Sequence, residues 1–132
     1  MTNDLHNQSI LIVDDNYEFI KSFSNLLRAV SKNENLSIEF ASTGVDAMKM
    51  IKTGYYQLIF MDIDLPDMDG VVLTHYIDFG LNCRNLNIVA ISFYSEEYYK
   101  NRMLNAGAKA YVSKADMDAE QLAAILATYT SN

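Results

Sequence analysis

The feature of this sequence that most constrains its fold is the alternation of short apolar runs with longer segments of helical periodicity. Five apolar runs occupy residues 10–13, 36–41, 58–61, 88–92 and 110–112. Mostly continuous apolar runs of this length are typical of parallel strands that are covered on both faces. Because helical segments separate the runs, the pattern indicates repeated βα units. The sequence therefore predicts an α/β fold, a doubly wound five-stranded parallel sheet with helices on both faces.

The first three helical segments each carry a stripe of large apolar side chains at helical spacing, and we expect these stripes to face the sheet. The stripes consist of Phe19, Ile20, Phe23, Leu26, Leu27 and Val30 in the first segment, Val45, Met48 and Ile51 in the second, and Val72, Tyr76 and Phe79 in the third. After the third strand, Asp69 and Gly70 suit the turn that begins the third helix. The nearby carboxylate of Asp67 is expected to be solvated.

The last two helices are predicted from the residues that begin and end them. The fourth is expected to begin at Ser95, its cap, and to end just before Gly107, which stands at the usual stop position. The fifth is expected to begin at Asp116 or Asp118 and to end near Tyr129. The side chains of the fifth helix that should point inward are Leu122, Ile125 and Leu126.

Length, charge and cysteine content limit the classes of protein to consider. The 132 residues, half of them hydrophobic, predict one domain over residues 1–132 with a core from about residue 9 to 129. A net charge of −7 without a basic cluster argues against binding of nucleic acid or anionic membrane surfaces. No apolar run is long enough to span a bilayer, and the start lacks the pattern of a secretion signal. The single cysteine, Cys83, fits a reducing compartment, so a cytoplasmic protein is predicted.

Polar side chains follow the predicted strands at the points where the strands end. Asp14 and Asp15 follow the first strand, Asp62 the third, Ser92 ends the fourth, and Lys114 comes shortly after the fifth. In a doubly wound sheet, functional groups gather beyond the carboxyl ends of the strands, where the strand order reverses. With the order 2-1-3-4-5, the first and third strands are neighbours, and the three aspartates form one cluster.

A cluster of three carboxylates predicts a bound cation. Like charges a few ångströms apart repel one another strongly in a partly desolvated site, and a hard, oxygen-seeking ion relieves that repulsion. Mg²⁺ prefers one or two direct carboxylates together with water and phosphate oxygens. The sequence therefore predicts a Mg²⁺ site, which Mn²⁺ could also occupy.

In chain order, Asp14-Asp15, the segment 61–70 (Met-Asp-Ile-Asp-Leu-Pro-Asp-Met-Asp-Gly), Ser92, and Tyr111 with Lys114 resemble the receiver domain of bacterial two-component signalling. The resemblance runs from about residue 9 to 128, and the intervals between Asp62, Ser92 and Lys114 agree with the family's spacing. It implies a flavodoxin-like (βα)₅ fold in a single-domain response regulator similar to those of chemotaxis. It also implies a phosphorylated regulatory protein rather than an enzyme.

The resemblance implies a role for each residue at the strand ends. Asp62 would accept a phosphoryl group from a histidine kinase or a histidine phosphotransfer protein. Asp15, Asp62 and the backbone carbonyl of Asp64 would bind the metal directly, and Asp14 would bind it through water. Ser92 and Lys114 would hold the phosphoryl oxygens.

The resemblance also implies how the signal leaves the site. After phosphorylation, the hydroxyl of Ser92 would move toward the phosphoryl group, and Tyr111 would rotate into the space that it leaves. This switch would change the surface made by the fourth helix, the fifth strand and the fifth helix, which a downstream protein would bind. Because no effector domain accompanies these residues, docking to a partner and relay of the phosphoryl group both remain open.

Three features depart from the family pattern. Ala115 stands where receivers usually have a proline joined by a cis bond, and a non-proline cis bond costs about 3 kcal/mol, so the bond from Lys114 is predicted to be trans. Phe93 stands where a small residue is usual, and its ring would restrict access to Asp62. Asp64 and Tyr94 flank the site and would alter the lifetime of the phosphorylated state.

These departures leave one alternative function open. A degenerate receiver would keep the fold and the partner surface and would act as a protein-binding module without phosphorylation. Phe93 and Ala115 favour that interpretation, whereas the presence of Asp15, Asp62 and Lys114 favours a phosphoacceptor.

Overall fold

A computed structural model describes residues 8–81 and 86–130 of the chain. Cys83, on which part of the cytoplasmic prediction rests, lies outside the described residues. Among those residues, no helix has both the length and the apolar character needed to cross a membrane.

Five parallel strands form one sheet in the order β2-β1-β3-β4-β5. The strands are β1 (Gln8–Val13), β2 (Leu36–Ala41), β3 (Leu58–Asp62), β4 (Asn87–Ser92) and β5 (Ala110–Ser113). In the register of the central strands, Val13 pairs with Met61, so the residues that follow β1 lie beside the last residue of β3. The predicted fold class and strand order are confirmed.

Five α-helices in the described part of the chain connect and cover the strands: α1 (Tyr17–Val30), α2 (Gly44–Thr53), α3 (Gly70–His75), α4 (Glu97–Ala106) and α5 (Ala119–Tyr129). A π-helical segment, Tyr76–Gly80, continues α3. Side chains of successive strand residues point to opposite faces of a sheet, and this alternation divides the core into two layers. On β1, Ile10 and Ile12 pack with α1 and α5, whereas Leu11 and Val13 pack with α2, α3 and α4.

The predicted inward stripe of the third helix is wrong. Val72, Tyr76 and Phe79 are exposed. The buried stripe consists instead of Gly70, Leu73, Thr74 and Ile77, with Val71 beside it. Gly70 sets this rotation of the helix, because a Cβ built on it would lie 2.0 Å from the backbone oxygen of Asp62. In α2, similarly, Val45 is exposed and Ala47 faces the core.

The helix ends agree with the sequence prediction at three positions and differ at one. Gly107 ends α4 with a φ of 124°, in the left-handed region that glycine adopts readily. Asp118 caps α5, its carboxylate accepting from the Gln121 N–H at 2.8 Å, and Asp69 caps α3. The predicted cap Ser95 is wrong: α4 begins after Glu96, which makes no side-chain hydrogen bond to the helix.

Candidate functional site

Three carboxylates meet at the carboxyl edge of the sheet. Asp14 and Asp15 follow β1, and Asp62 ends the neighbouring strand β3. Each of the three contributes a carboxylate oxygen, and these oxygens lie within 4.8 Å of one another. Asp14 is fully buried and Asp62 nearly so, whereas Asp15 is exposed. The cluster therefore has a desolvated floor and one wall that is open to solvent.

Backbone N–H groups orient the two buried carboxylates. Oδ1 of Asp14 accepts a hydrogen bond from the Asn16 N–H at 2.9 Å, and Oδ1 of Asp62 accepts one from the Ile63 N–H at 2.9 Å. One oxygen of each carboxylate is thereby held by the backbone of its own strand end. The second oxygen of each, Oδ2, faces the side chain of Lys114.

The ammonium of Lys114 lies between these two oxygens. Its Nζ is 2.6 Å from Oδ2 of Asp14 and 3.6 Å from Oδ2 of Asp62, and only 4% of the lysine side chain is exposed. The Lys114 N–H donates to the Ser92 carbonyl at 2.8 Å, which ties the segment after β5 to the end of β4. No peptide bond is cis in residues 8–81 and 86–130, so the bond from Lys114 to Ala115 is trans, as predicted.

The environment of Asp62 opposes its negative charge. Burial, followed by the negative charge of Asp14, raises the pKa of Asp62 to about 7, against the opposing effects of Lys114 and the Ile63 N–H. Oδ2 of Asp14 is buried and forms an ion pair with the Lys114 ammonium. It has no other polar partner among the described residues. Hard carboxylate oxygens with excess negative charge fit a divalent cation such as Mg²⁺. Such an ion would offset the repulsion between Asp14 and Asp62 and the cost of burying their charges.

Two aromatic rings border the ammonium. Nζ of Lys114 lies 4.3 Å from the ring centroid of Phe19 and 5.2 Å from that of Phe93. Phe93 is 65% exposed and stands at the outer edge of the site. Sequence reasoning missed Phe19, because it treated this residue as part of the apolar stripe of α1. Its place three residues after the helix cap Asn16 was the signal that would have located it at the strand ends.

Tyr94 connects the loops on either side of the site. Its hydroxyl donates to Oδ2 of Asp64 at 2.7 Å, and its N–H donates to Oγ of Ser92 at 3.0 Å. The hydroxyl of Tyr111 donates to the Tyr94 carbonyl at 2.6 Å. The ring of Tyr94 stacks on that of Tyr99 in α4, with centroids 4.2 Å apart. The predicted residues Ser92, Asp64 and Tyr111 therefore belong to one network that reaches α4.

Two contacts fix the loop after β3. Gly70 allows the helix α3 to approach the Asp62 carbonyl, as described above, and its N–H donates to the Ile63 carbonyl at 2.6 Å. Asp67 is exposed, as expected, but it also makes two hydrogen bonds that the sequence did not predict. Its carboxylate accepts the N–H groups of Gly44 and Val45 at 2.8 and 3.0 Å, and these bonds lower its pKa. Asp67 therefore joins this loop to the first turn of α2.

Comparison with known proteins gives a consistent result. The family model for the response regulator receiver domain matches residues 10–127. The chain is 28% identical over 107 residues to the polar-differentiation response regulator DivK of Brucella ovis, covering 81% of this chain and 84% of DivK. It is 29% identical over 118 residues to the hybrid signal transduction histidine kinase B of Dictyostelium discoideum, covering 81% of this chain but only 6% of that kinase.

One similar solved structure contains a metal ion. The receiver domain of a sensor histidine kinase from Pseudomonas aeruginosa PAO1 matches with a TM-score of 0.80 and 26% identity, over 93% of this chain and 97% of that one. That structure has a magnesium ion coordinated in its active-site cleft.

Proposed function

The chain belongs to the response regulator receiver domain family, and from that premise we propose that it accepts a phosphoryl group on Asp62. Receiver domains are regulatory components of two-component signalling. In this proposal residues 9–129 act as one receiver unit in the cytoplasm. The donor is a histidine kinase or a histidine phosphotransfer protein, and the chain is a regulator rather than an enzyme with a separate substrate.

The observation that carries the proposal is the position of the Lys114 ammonium between Asp14 and Asp62 at the carboxyl edge of the sheet. A buried carboxylate that serves only as a helix cap has no need of a second carboxylate and a buried ammonium within ion-pair distance. A nucleophile that must receive a highly charged group does need them, because phosphoryl transfer depends on positioning and on neutralisation of negative charge.

In the transfer step, an oxygen of Asp62 attacks the phosphorus of a phosphohistidine. A P–O bond forms, the P–N bond breaks, and the electron pair of that bond stays on the imidazole nitrogen, which then takes up a proton. The Asp62 oxygen that is bonded to the Ile63 N–H is held in place, which leaves Oδ2 as the attacking atom. Lys114 lies on the Oδ2 side and would contact the incoming phosphoryl oxygens.

The metal would be held by the acidic cluster together with one backbone carbonyl. Asp15, Asp62 and the backbone carbonyl of Asp64 would bind Mg²⁺ or Mn²⁺ directly, and Asp14 would do so through water. A bound divalent ion neutralises carboxylate charge and the charge on the phosphoryl oxygens. The ion would also favour the ionised form of Asp62, which is the nucleophilic form.

The output would pass from the site through Tyr94 to α4. Ser92 would hold a phosphoryl oxygen by donating its hydroxyl proton, and a movement of the hydroxyl toward that oxygen would lengthen the bond that it now accepts from the Tyr94 N–H. Tyr111 donates to the carbonyl of Tyr94, so a shift of this loop changes the position of the Tyr111 side chain. The surface of α4, β5 and α5 would then bind a downstream protein, in preference to nucleic acid or a membrane.

The proposal is tested by intact mass spectrometry after incubation with Mg²⁺ and acetyl phosphate. We expect the wild type to gain one phosphoryl mass, Asp62→Asn to gain none, and Asp46→Asn, which changes an exposed carboxylate on α2, to behave as the wild type. Beryllofluoride binding in the presence of Mg²⁺, followed by NMR, is the parallel measurement. A wild type that neither gains mass nor binds beryllofluoride contradicts the phosphoacceptor role.

That outcome would support the second candidate, a degenerate receiver that binds a protein partner without phosphorylation. The observation in its favour is the ring of Phe93 beside the Lys114 ammonium, on the outer side of the site. A third outcome, beryllofluoride binding without a gain of mass, would not support the degenerate receiver. It would indicate a working site that small phosphodonors do not reach.

A further inference from the structure

We propose that Phe19 and Phe93 are positioning residues that hold the Lys114 ammonium between two aromatic rings and direct it toward Asp62. We call this pair of rings the aromatic clamp. The inference rests on the proposed function, because it concerns the cation that would neutralise the phosphoryl oxygens. Neither ring touches the reacting atoms in this proposal; both act through Lys114.

The geometry around Nζ is that of a confined cation. Both ring centroids lie within about 6 Å, the distance at which a ring face attracts an ammonium. The lysine side chain is almost fully buried, and cation–π attraction is stronger where water is excluded. Asp14 bounds a third side, with its Oδ2 at 2.6 Å. Oδ2 of Asp62 lies on a further side, at 3.6 Å.

Phe19 is the fixed wall of the clamp. Its N–H donates to Oδ1 of the helix cap Asn16 at 3.1 Å, which fixes its backbone at the start of α1. Its ring stacks on Phe23 with centroids 5.1 Å apart, and Phe23 makes an edge contact with Phe60 at 4.8 Å. Phe60 is fully buried in β3, two residues before Asp62. A column of three rings therefore extends from the core to the ammonium.

Phe93 is the outer wall, and it differs from Phe19 in its freedom to move. It follows Ser92 directly and is 65% exposed, so its ring can rotate away from Lys114 without opening a cavity in the core. In the present position the ring shields the ammonium from solvent on one side. Phe93 is therefore expected to hold the ammonium less firmly than Phe19 does.

The clamp is tested by replacing each ring with leucine, which fills a comparable space without a π face. At saturating Mg²⁺ we expect Phe19→Leu to weaken beryllofluoride binding by roughly three- to tenfold, since one cation–π contact to a desolvated ammonium has that effect. Phe19→Tyr keeps the ring face and should restore binding to within about twofold. The Mg²⁺ affinity should stay unchanged in both variants, because the ring contacts the lysine ammonium, which is not a metal ligand.

The matched control for the outer wall is Phe79→Leu, which removes another largely exposed phenyl ring, from the π-helical segment. Phe93→Leu should weaken beryllofluoride binding by about twofold, as expected for a more distant and more solvated ring, and Phe79→Leu should not change it. Equal losses in Phe19→Leu and Phe19→Tyr, with equally lowered Tm, would overturn the proposal in favour of a packing role.

A second measurement does not depend on phosphorylation. In metal-free protein, NMR signals of the Lys114 CεH₂ group should show ring-current shifts that decrease in Phe19→Leu but not in Phe79→Leu. Unshifted lysine signals in the wild type would overturn the clamp. If the wild type failed to bind beryllofluoride, the phosphoacceptor proposal would fall, and the ring-current shifts would still decide whether the clamp exists.

Discussion

The hydroxyl of Tyr94 and the carboxylate of Asp64 form a 2.7 Å hydrogen bond that joins the loop after β4 to the loop after β3. The bond raises the pKa of Tyr94 to about 12, since a neighbouring carboxylate disfavours the phenolate. Through the same residue, Tyr111 and Tyr99 are linked to Ser92. A side chain beside the site thus holds both loops and contacts α4.

The first prediction concerns the lifetime of the phosphorylated state. Tyr94→Phe removes the bond to Asp64 but keeps the stacking on Tyr99, so the two loops separate more easily and water reaches Asp62 more often. We expect dephosphorylation to become about two- to fivefold faster, a modest effect because the lost contact is a single solvent-exposed hydrogen bond. The rate of dephosphorylation is measured by following the loss of the phosphorylated mass over time.

The control for that prediction is Tyr98→Phe, which removes a hydroxyl from an exposed ring of α4. Its decay rate should equal that of the wild type. A Tyr94→Phe variant that loses phosphate at the wild-type rate would show that the two loops stay closed without this bond.

The second prediction is a pH dependence that originates at Asp62. Its pKa is raised from 3.8 to about 7 in the folded protein, so the folded state binds more protons than the unfolded state between these values. Without metal, the free energy of unfolding should therefore fall as pH rises through this window and level off above about 7. The ionised carboxylate then destabilises the metal-free protein.

Asp62→Asn removes this ionisation. We expect it to stabilise the metal-free protein at pH 8 by on the order of 1–2 kcal/mol, with a smaller effect at pH 5. Urea unfolding at the two pH values measures the difference. The wild type should in addition bind Mg²⁺ more weakly as pH falls through about 7, since protons compete with the metal for Asp62. A Mg²⁺ affinity that is constant from pH 8 to pH 6 would contradict it.

The third prediction concerns the contact of Gly70 with Asp62. A Cβ at residue 70 would lie 2.0 Å from the Asp62 backbone oxygen and 2.9 Å from the Cα of Ile63, so the backbone has to shift. We expect Gly70→Ala to lower the free energy of unfolding by about 2–4 kcal/mol, as overpacking against backbone does. It should also weaken Mg²⁺ binding, because the carboxylate moves with its strand.

Gly80→Ala is the matched control in the same part of the chain. A Cβ there meets only the flexible ring of Tyr76, at 3.2 Å, so its cost should be below about 1 kcal/mol. Urea unfolding of both variants tests the difference, and equal stabilities would show that α3 can move away from β3 without cost.

The fourth prediction concerns Asp67, which accepts two N–H groups at the start of α2. Asp67→Ala leaves these donors without their carboxylate and should lower the Tm, whereas Asp116→Ala, in an exposed turn before α5, should not. Because the bonds lower the pKa of Asp67, its contribution is present at neutral pH and is lost as pH falls through that lowered pKa. Thermal unfolding at pH 7 and at pH 3 measures both effects. A Tm difference that persists undiminished at pH 3 would argue against the ionised carboxylate as the cause.

Much of the fold followed from the sequence because hydrophobic periodicity reports burial directly. The five strands and the inward residues of α5 were of this kind. The rotation of α3 did not follow from it, because the large apolar side chains of Val72, Tyr76 and Phe79 lie on the exposed face of the helix. The buried face includes the small residues Gly70 and Thr74, which a search for apolar periodicity passes over. What decides that rotation is a close approach of glycine to a backbone oxygen on another element, and such a contact leaves no periodic trace.

Some residues of the candidate site could likewise be predicted from the sequence, and others could not. Asp14, Asp15 and Asp62 were found because strand ends in a parallel sheet share one edge, and that rule needs only the strand order. Phe19 and the role of Asp67 were missed. Both depend on contacts between residues far apart in the chain, Phe19 with Lys114 and Asp67 with Gly44, which a single sequence does not reveal.

The strand order also has a kinetic consequence. β1 lies between β2 and β3, and each of its pairings joins segments separated by at least one helix, so no two adjacent strands are joined by a short hairpin. Folding that depends on such distant pairings is slow compared with that of helical bundles. Asp14 and Asp62 come together only when β1 and β3 have paired. The cation site is therefore absent from folding states that precede this pairing. A bound cation would slow unfolding while leaving the rate of early folding unchanged.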